Sequence, residues 1–180
     1  DFFRRSLTLY RQLDDAWGME RALTDLGWWE AHYGAVITAQ QFGEDALALG
    51  RASGDQKQLA DTLWLLGTLA ILQGQIEGAD RLLGESLDIR KVLGDRLTDI
   101  AAGPLDLGMT LTWIGRMSEA DAVREETLAL YQAQGQLEQI ALAHVRLATS
   151  KVHVGQFEAA ERLAQLGVQQ CREMGNQRGV

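Results

Sequence analysis

Proline is nearly missing from this 180-residue chain, which has one, Pro104. With so little to remove backbone donors, long helices are the first expectation. Cysteine is as scarce. A single Cys171 excludes an internal disulfide and says little about compartment. No apolar run approaches the roughly 20 residues that span a bilayer, so no membrane is expected as a partner. No secretory signal stands at the start, although the chain opens on Asp1 rather than Met, which leaves a removed leader open. A cytoplasmic location is the default expectation. Positive charge is also short, with 17 Lys and Arg against 25 Asp and Glu and a net charge of −8. No basic run exceeds two residues, as at Arg4-Arg5. Such a surface repels a phosphate backbone, and no direct nucleic-acid partner is expected. Disorder is disfavoured as well, because 46 % of the residues are hydrophobic and 23 % charged.

Glycine, by contrast, is plentiful at 19 residues, and its spacing explains it. Gly34, Gly74, Gly115 and Gly155 recur at intervals of 40, 41 and 40 residues. Gly27, Gly67, Gly108 and Ala148 keep those intervals, and so do Ala39, Ala79, Ala120 and Ala160. Gly54, Gly94, Gly135 and Gly175 form a fourth series, with Asp14 one period earlier. Four small-residue series in one register mark an internal repeat. The Gly34 series lies between two apolar-periodic segments, where a tight helix–helix turn needs a left-handed residue. The Gly54 series ends the second segment, and Asp55 or Asp95 then stands where it can cap the next helix. The Gly27 and Ala39 series fall inside helices. A glycine there costs about 1 kcal/mol against alanine, so its presence implies close approach of a neighbouring helix.

Between these marks the apolar period is helical, as in Leu59, Leu63, Leu66 and Ala70, then Leu82, Leu83, Leu87 and Val92. The pattern predicts nine helices, near 2–13, 17–33, 36–53, 57–73, 76–93, 97–114, 117–134, 137–154 and 157–174. An orphan first helix is followed by four hairpins, near 16–54, 56–94, 96–135 and 137–175. Pro104, after Gly103, should kink the helix beginning near Leu97 or split off its first turn.

These residues resemble the tetratricopeptide repeat, in a form of about 40 residues, over essentially the whole chain. The family's small residue in the first helix corresponds to the Gly27 series and its alanine early in the second helix to the Ala39 series. Gly155-Gln156-Phe157-Glu158-Ala159-Ala160 is typical of it. Leu63, Pro104 and His144 stand where the family has an aromatic, so its packing details do not carry over. The resemblance implies an all-α fold, a right-handed superhelical solenoid of antiparallel helix hairpins. The longer repeat is similar in style to the C-terminal arrays of bacterial signal-transduction ATPases and transcriptional regulators. Both ends read as an excerpt of a longer array, because neither looks like the polar cap that solenoids need.

Catalytic patterns are missing. There is no phosphate-binding Gly-x-x-x-x-Gly-Lys-Ser/Thr loop and no dinucleotide fingerprint after a strand. His32, His144 and His153 have no carboxylate, cysteine or second histidine at metal-site spacing. Cys171, beside Arg172, reads as a buried inert thiol. Glu125-Glu126 and Asp14-Asp15 are adjacent pairs that point different ways on a helix. No enzyme activity, cofactor or metal is expected.

The resemblance implies instead a concave groove lined by the first helix of each hairpin. In that register its residues are Arg21, Thr24, Trp28, His32, Asp61, Trp64, Thr68, Leu105, Met109, Trp113, Arg146, Thr149 and His153. Trp28 and Trp29 are neighbours, so at most one of them faces inward. The strip, rich in aromatics and poor in charge, suits an amphipathic helix or an extended apolar peptide. It lacks the Lys, Arg and Asn clamp with which some members of the family grip a terminal carboxylate. A protein- or peptide-binding scaffold is the leading expectation. Two others stay open, a small-molecule-sensing segment of a signalling ATPase or regulator and a homo-oligomerisation element working through uncapped ends. A polar concave pocket with few exposed tryptophans would favour the sensing segment.

Overall fold

The computed structural model describes residues 2–94 and 107–175. All the described elements are helices, and they fall into two compact units, Asp1–Asp95 and Arg96–Val180. The first holds α1 (Phe2–Gln12), α2 (Ala16–His32), α3 (Val36–Ser53), α4 (Gln56–Leu72) and α5 (Ile76–Leu93). The second holds α6 (Leu107–Trp113), α7 (Met117–Ala133), α8 (Leu137–His153) and α9 (Phe157–Glu173). In the first unit α2 pairs with α3 and α4 with α5, while α1 packs on α2. In the second α6 pairs with α7 and α8 with α9. The expected kink at Gly103-Pro104, the expected start of a helix near Leu97, the cap at Asp95 and the groove position Leu105 lie outside the described residues.

The turns are built as the glycine register requires. Every glycine of the Gly34 and Gly54 series has a positive φ, and Asp14 shares it at 54°. At Gly74 the turn closes on two bonds. The Gly74 amide donates to the Ile71 carbonyl at 2.9 Å, and the Gln75 amide to that of Ala70 at 2.8 Å. This pair satisfies the orphan carbonyls of α4 and starts α5 at once. Helices α2 and α4 begin on side-chain caps, with Asp15 accepting from the Gly18 amide and Asp55 from that of Gln58.

Helix α4 is the core of the first unit. Residues 58–60 and 62–70 are all buried, as befits a helix apolar nearly all round. Leu65, Leu66 and Leu69 form one cluster with Ala39, flanked by Trp28, Val36, Leu47 and Leu82. Leu7, Ala22, Leu23, Leu26 and Ala46 form a second cluster under Phe3 and Tyr10. Deleting one such leucine costs roughly 2–5 kcal/mol. No described helix is long and apolar enough to cross a membrane.

Candidate functional site

Helices α2 and α4 lie side by side, and their inner faces, with one side chain from α5, enclose a cleft. Its lining is Arg21, Thr24, Asp25, Trp28, Gln58, Asp61, Trp64 and Arg90, and its volume is about 110 Å³. The helical repeat builds it simply. Arg21, Thr24, Asp25 and Trp28 recur at three and four residues on α2, and Asp61 and Trp64 one period later on α4. Trp64 is only 7 % exposed, and Trp28 is half-buried against the core cluster of Leu65 and Leu69. The rings therefore reach the cleft from packed positions.

Charge is arranged unevenly on these walls. Arg90, its side chain 11 % exposed, pairs with Asp61. Arg21 is mostly in solvent, its Nε 3.8 Å from the Asp25 carboxylate, beyond hydrogen-bond range. Burial holds the Asp25 carboxyl above its ordinary pKa, Arg21 offsets this in part and Asp61 adds to it. Thr24 and Thr62 share a buried hydroxyl–hydroxyl bond of 2.8 Å behind the floor.

Next to the cleft lies a buried polar joint. Glu20 is fully buried. Gln58 donates to its Oε2 at 3.0 Å and Ser53 to the same atom at 3.4 Å, while Oε1 has no partner. The carboxyl fits because Gly50 faces it without a side chain. Burial raises the Glu20 pKa above its ordinary value, against the lowering effect of the Gln58 and Ser53 bonds, with Asp55 and Asp61 adding to the rise. Asp55 moves the other way. The Gln58 amide and the Trp17 indole, at 2.8 Å, hold its carboxyl below the usual value.

The cleft thus gathers Arg21, Thr24, Trp28, Asp61 and Trp64 of the expected strip. Thr68 is buried outside it, with its hydroxyl unpartnered, and His32 is exposed with its ring 5.3 Å from that of Tyr33. In the second unit Met109 is half-buried and Trp113 is 40 % exposed. Arg146 lines a small cavity of about 20 Å³ with Arg124, Tyr131 and Gln139. Thr149 and His153 are exposed, and Thr149 donates to the Val145 carbonyl at 3.1 Å. The buried His144 meets Gln170 Oε1 through Nδ1 at 2.9 Å. Among the described residues no group of His, Cys, Asp and Glu could hold a metal ion.

Asp25, Gln58 and Arg90 are site residues that the sequence reading missed. Asp25 was accessible, being four residues after Arg21 on the same face. Arg90 was not, because it belongs to a second helix and reaches Asp61 across 29 positions.

No family model matches the sequence, and no curated protein matches it either. Solved structures do. The chain is similar to the crystal structure of BtubC (BKLC) from P. vanneervenii, with a TM-score of 0.76 at 20 % identity. That match covers 96 % of this chain and 74 % of the other. It is also similar to a putative kinesin light chain from Podosopora anserina with nearly identical TPR-like repeats. There the TM-score is 0.75, the identity 16 %, and the coverage 96 % and 85 %. The fold is that of a TPR-like helical repeat. At these identities the likeness reaches no further than the fold.

Proposed function

We propose that this chain is a non-catalytic scaffold that binds a protein or peptide segment along the inner faces of its first helices. In this reading it is the interaction or sensor region of a cytoplasmic bacterial regulatory protein. The observation that carries it is the α2–α4 cleft. It opens on the face where successive first helices meet, two tryptophans reach it, and at about 110 Å³ it suits one side chain of a longer ligand. Pockets that enclose a whole small molecule run to roughly 300–1,000 Å³. Size therefore favours a peptide anchor over an enclosed effector.

One observation favours the sensing alternative. Four of the side chains that line the cleft are charged, Asp25, Asp61, Arg21 and Arg90, where an apolar groove was expected, and Trp64 is mostly covered. A charged small molecule binding partly in the open would use the same walls.

Selection from a random 12-residue peptide library displayed on phage, against the immobilised chain, tests the reading. Enriched peptides should bind the free chain and lose roughly tenfold in affinity to Trp28→Leu, as expected for an aromatic anchor. Enrichment of nothing, or of peptides indifferent to that substitution, overturns it.

A further inference from the structure

Four charged side chains line the α2–α4 cleft, and they are not equivalent. Asp61 is taken by Arg90, whose side chain is nearly buried in that pairing. Asp25 has no such partner. Among the described residues its carboxylate receives no hydrogen bond, and its nearest cation, Arg21, stands 3.8 Å away with most of its side chain in solvent. We propose that the cleft takes one basic side chain of the bound segment, an arginine in preference to a lysine, with Asp25 as its counter-ion beside the Trp28 and Trp64 rings. The inference rests on the groove reading above and names its anchor.

Several observations converge on a cation. Asp25 is held in partial burial next to a second carboxylate, and burial raises its pKa, with Arg21 offsetting the rise only in part and Asp61 adding to it. An incoming guanidinium would supply what Arg21 supplies only at a distance. Tryptophan faces attract cations, and a planar guanidinium can stack on a ring while forking onto a carboxylate. An ammonium ion can do only the second of these well. An anionic anchor, by contrast, would meet Asp25 and Asp61 and find Arg90 already engaged. The cavity volume, about 110 Å³, admits a side chain and excludes a helix. Long-range charge points the same way, because residues 1–95 carry 15 acidic against 9 basic side chains. That field draws a basic segment towards the first unit.

The same library selection, read for sequence, decides the matter. The expected consensus carries one arginine at a fixed position. Replacing it in the synthetic peptide by citrulline, which keeps the shape and loses the charge, should weaken binding roughly tenfold, and lysine should weaken it less. On the protein side, Asp25→Asn should bring the arginine peptide down to the citrulline level and leave the citrulline peptide unchanged. An apolar or acidic consensus that still depends on Trp28 overturns this inference and leaves the groove reading standing. Equal binding of the arginine and citrulline peptides also overturns it, and that comparison needs no protein variant to fold. If no peptide enriches, or none depends on Trp28, both readings fall.

Discussion

Gly67 on α4 and Gly108 on α6 occupy the same place in the repeat, 41 residues apart, yet their sockets are filled in opposite ways. In the first unit the side chain over Gly67 is Leu83, fully buried, and a methyl group on Gly67 would come within 2.5 Å of its Cγ. In the second unit the register partner of Leu83 is Arg124. It folds over Gly108, 7 % exposed, and a methyl group there would stand 2.7 Å from its Nε. Arg124 donates from Nη1 to Thr112 Oγ1 at 3.1 Å, and Thr112 in turn donates to the Gly108 carbonyl at 2.8 Å. One period earlier the place of Thr112 is held by Ile71, whose side chain accepts nothing. A small residue on the first helix therefore dictates that something must fill the hole. Whether the filler is apolar or ionic depends on what the neighbouring turn of helix can accept.

Exchanging the fillers should separate the two solutions sharply, and it carries the largest expected effect. Leu83→Arg buries a guanidinium beside Ile71 with no acceptor in the position of Thr112. A loss of about 3 kcal/mol or more in the first unit is expected from urea denaturation. Arg124→Leu removes the bond to Thr112 and the attraction to Asp121 but fills the same hole with apolar volume, and should change stability by no more than about 1.5 kcal/mol. Equal losses in both variants would show that the two sockets work alike and that the comparison is empty.

A buried acid in the first unit and a half-buried one in the second repeat the contrast. In the first unit Glu20 is buried against neutral partners, Gln58 and Ser53. In the second, burial pushes the Asp121 carboxyl up but is outweighed by Lys151, at 2.7 Å, and by Ser150, and the pKa ends below its ordinary value. The signs of the pH dependence are therefore opposite. Glu20 has a folded pKa above its ordinary 4.5, so its contribution is full below that value and is lost as pH rises through the folded pKa. Asp121 contributes fully above its ordinary 3.8 and loses that contribution as pH falls through its lower folded pKa. Glu20→Gln should flatten the decline in stability on going upward from pH 4.5, and Asp121→Asn should flatten the decline below pH 3.8. Denaturant midpoints measured across that range check both. A Glu20→Gln variant that keeps the wild-type slope above pH 4.5 would show that the buried carboxyl is compensated after all.

How much of this could be read in advance follows from what a period encodes. The intervals of 40 and 41 residues repeat backbone environments, so they located the turns at Gly34, Gly74, Gly115 and Gly155 and even the left-handed Asp14. They also located the close approaches at Gly67 and Gly108, because a missing side chain is a backbone fact. They could not say that Arg124 would fold inward, since an arginine on a second helix is compatible with solvent too. Nor could they place Arg90 on the cleft, because its pairing with Asp61 joins two helices through rotamers. The strip read as poor in charge because Asp25 and Arg90, which also line the cleft, were not counted in it.

The smallest expected effect concerns those tryptophans. Trp64 is 7 % exposed in the first unit and Trp113 40 % in the second. A neutral quencher such as acrylamide reports the difference through collisions with the exposed rings. Trp17 and Trp29, at 49 % and 48 %, contribute as well, so Trp113→Phe should lower the quenchable fraction only modestly. Trp64→Phe should leave it nearly unchanged while lowering the total emission. If Trp64→Phe instead removes the larger quenchable share, the cleft is more open than the 7 % exposure of Trp64 implies. A flat aromatic platform would then replace the side-chain pocket as the surface that a partner meets.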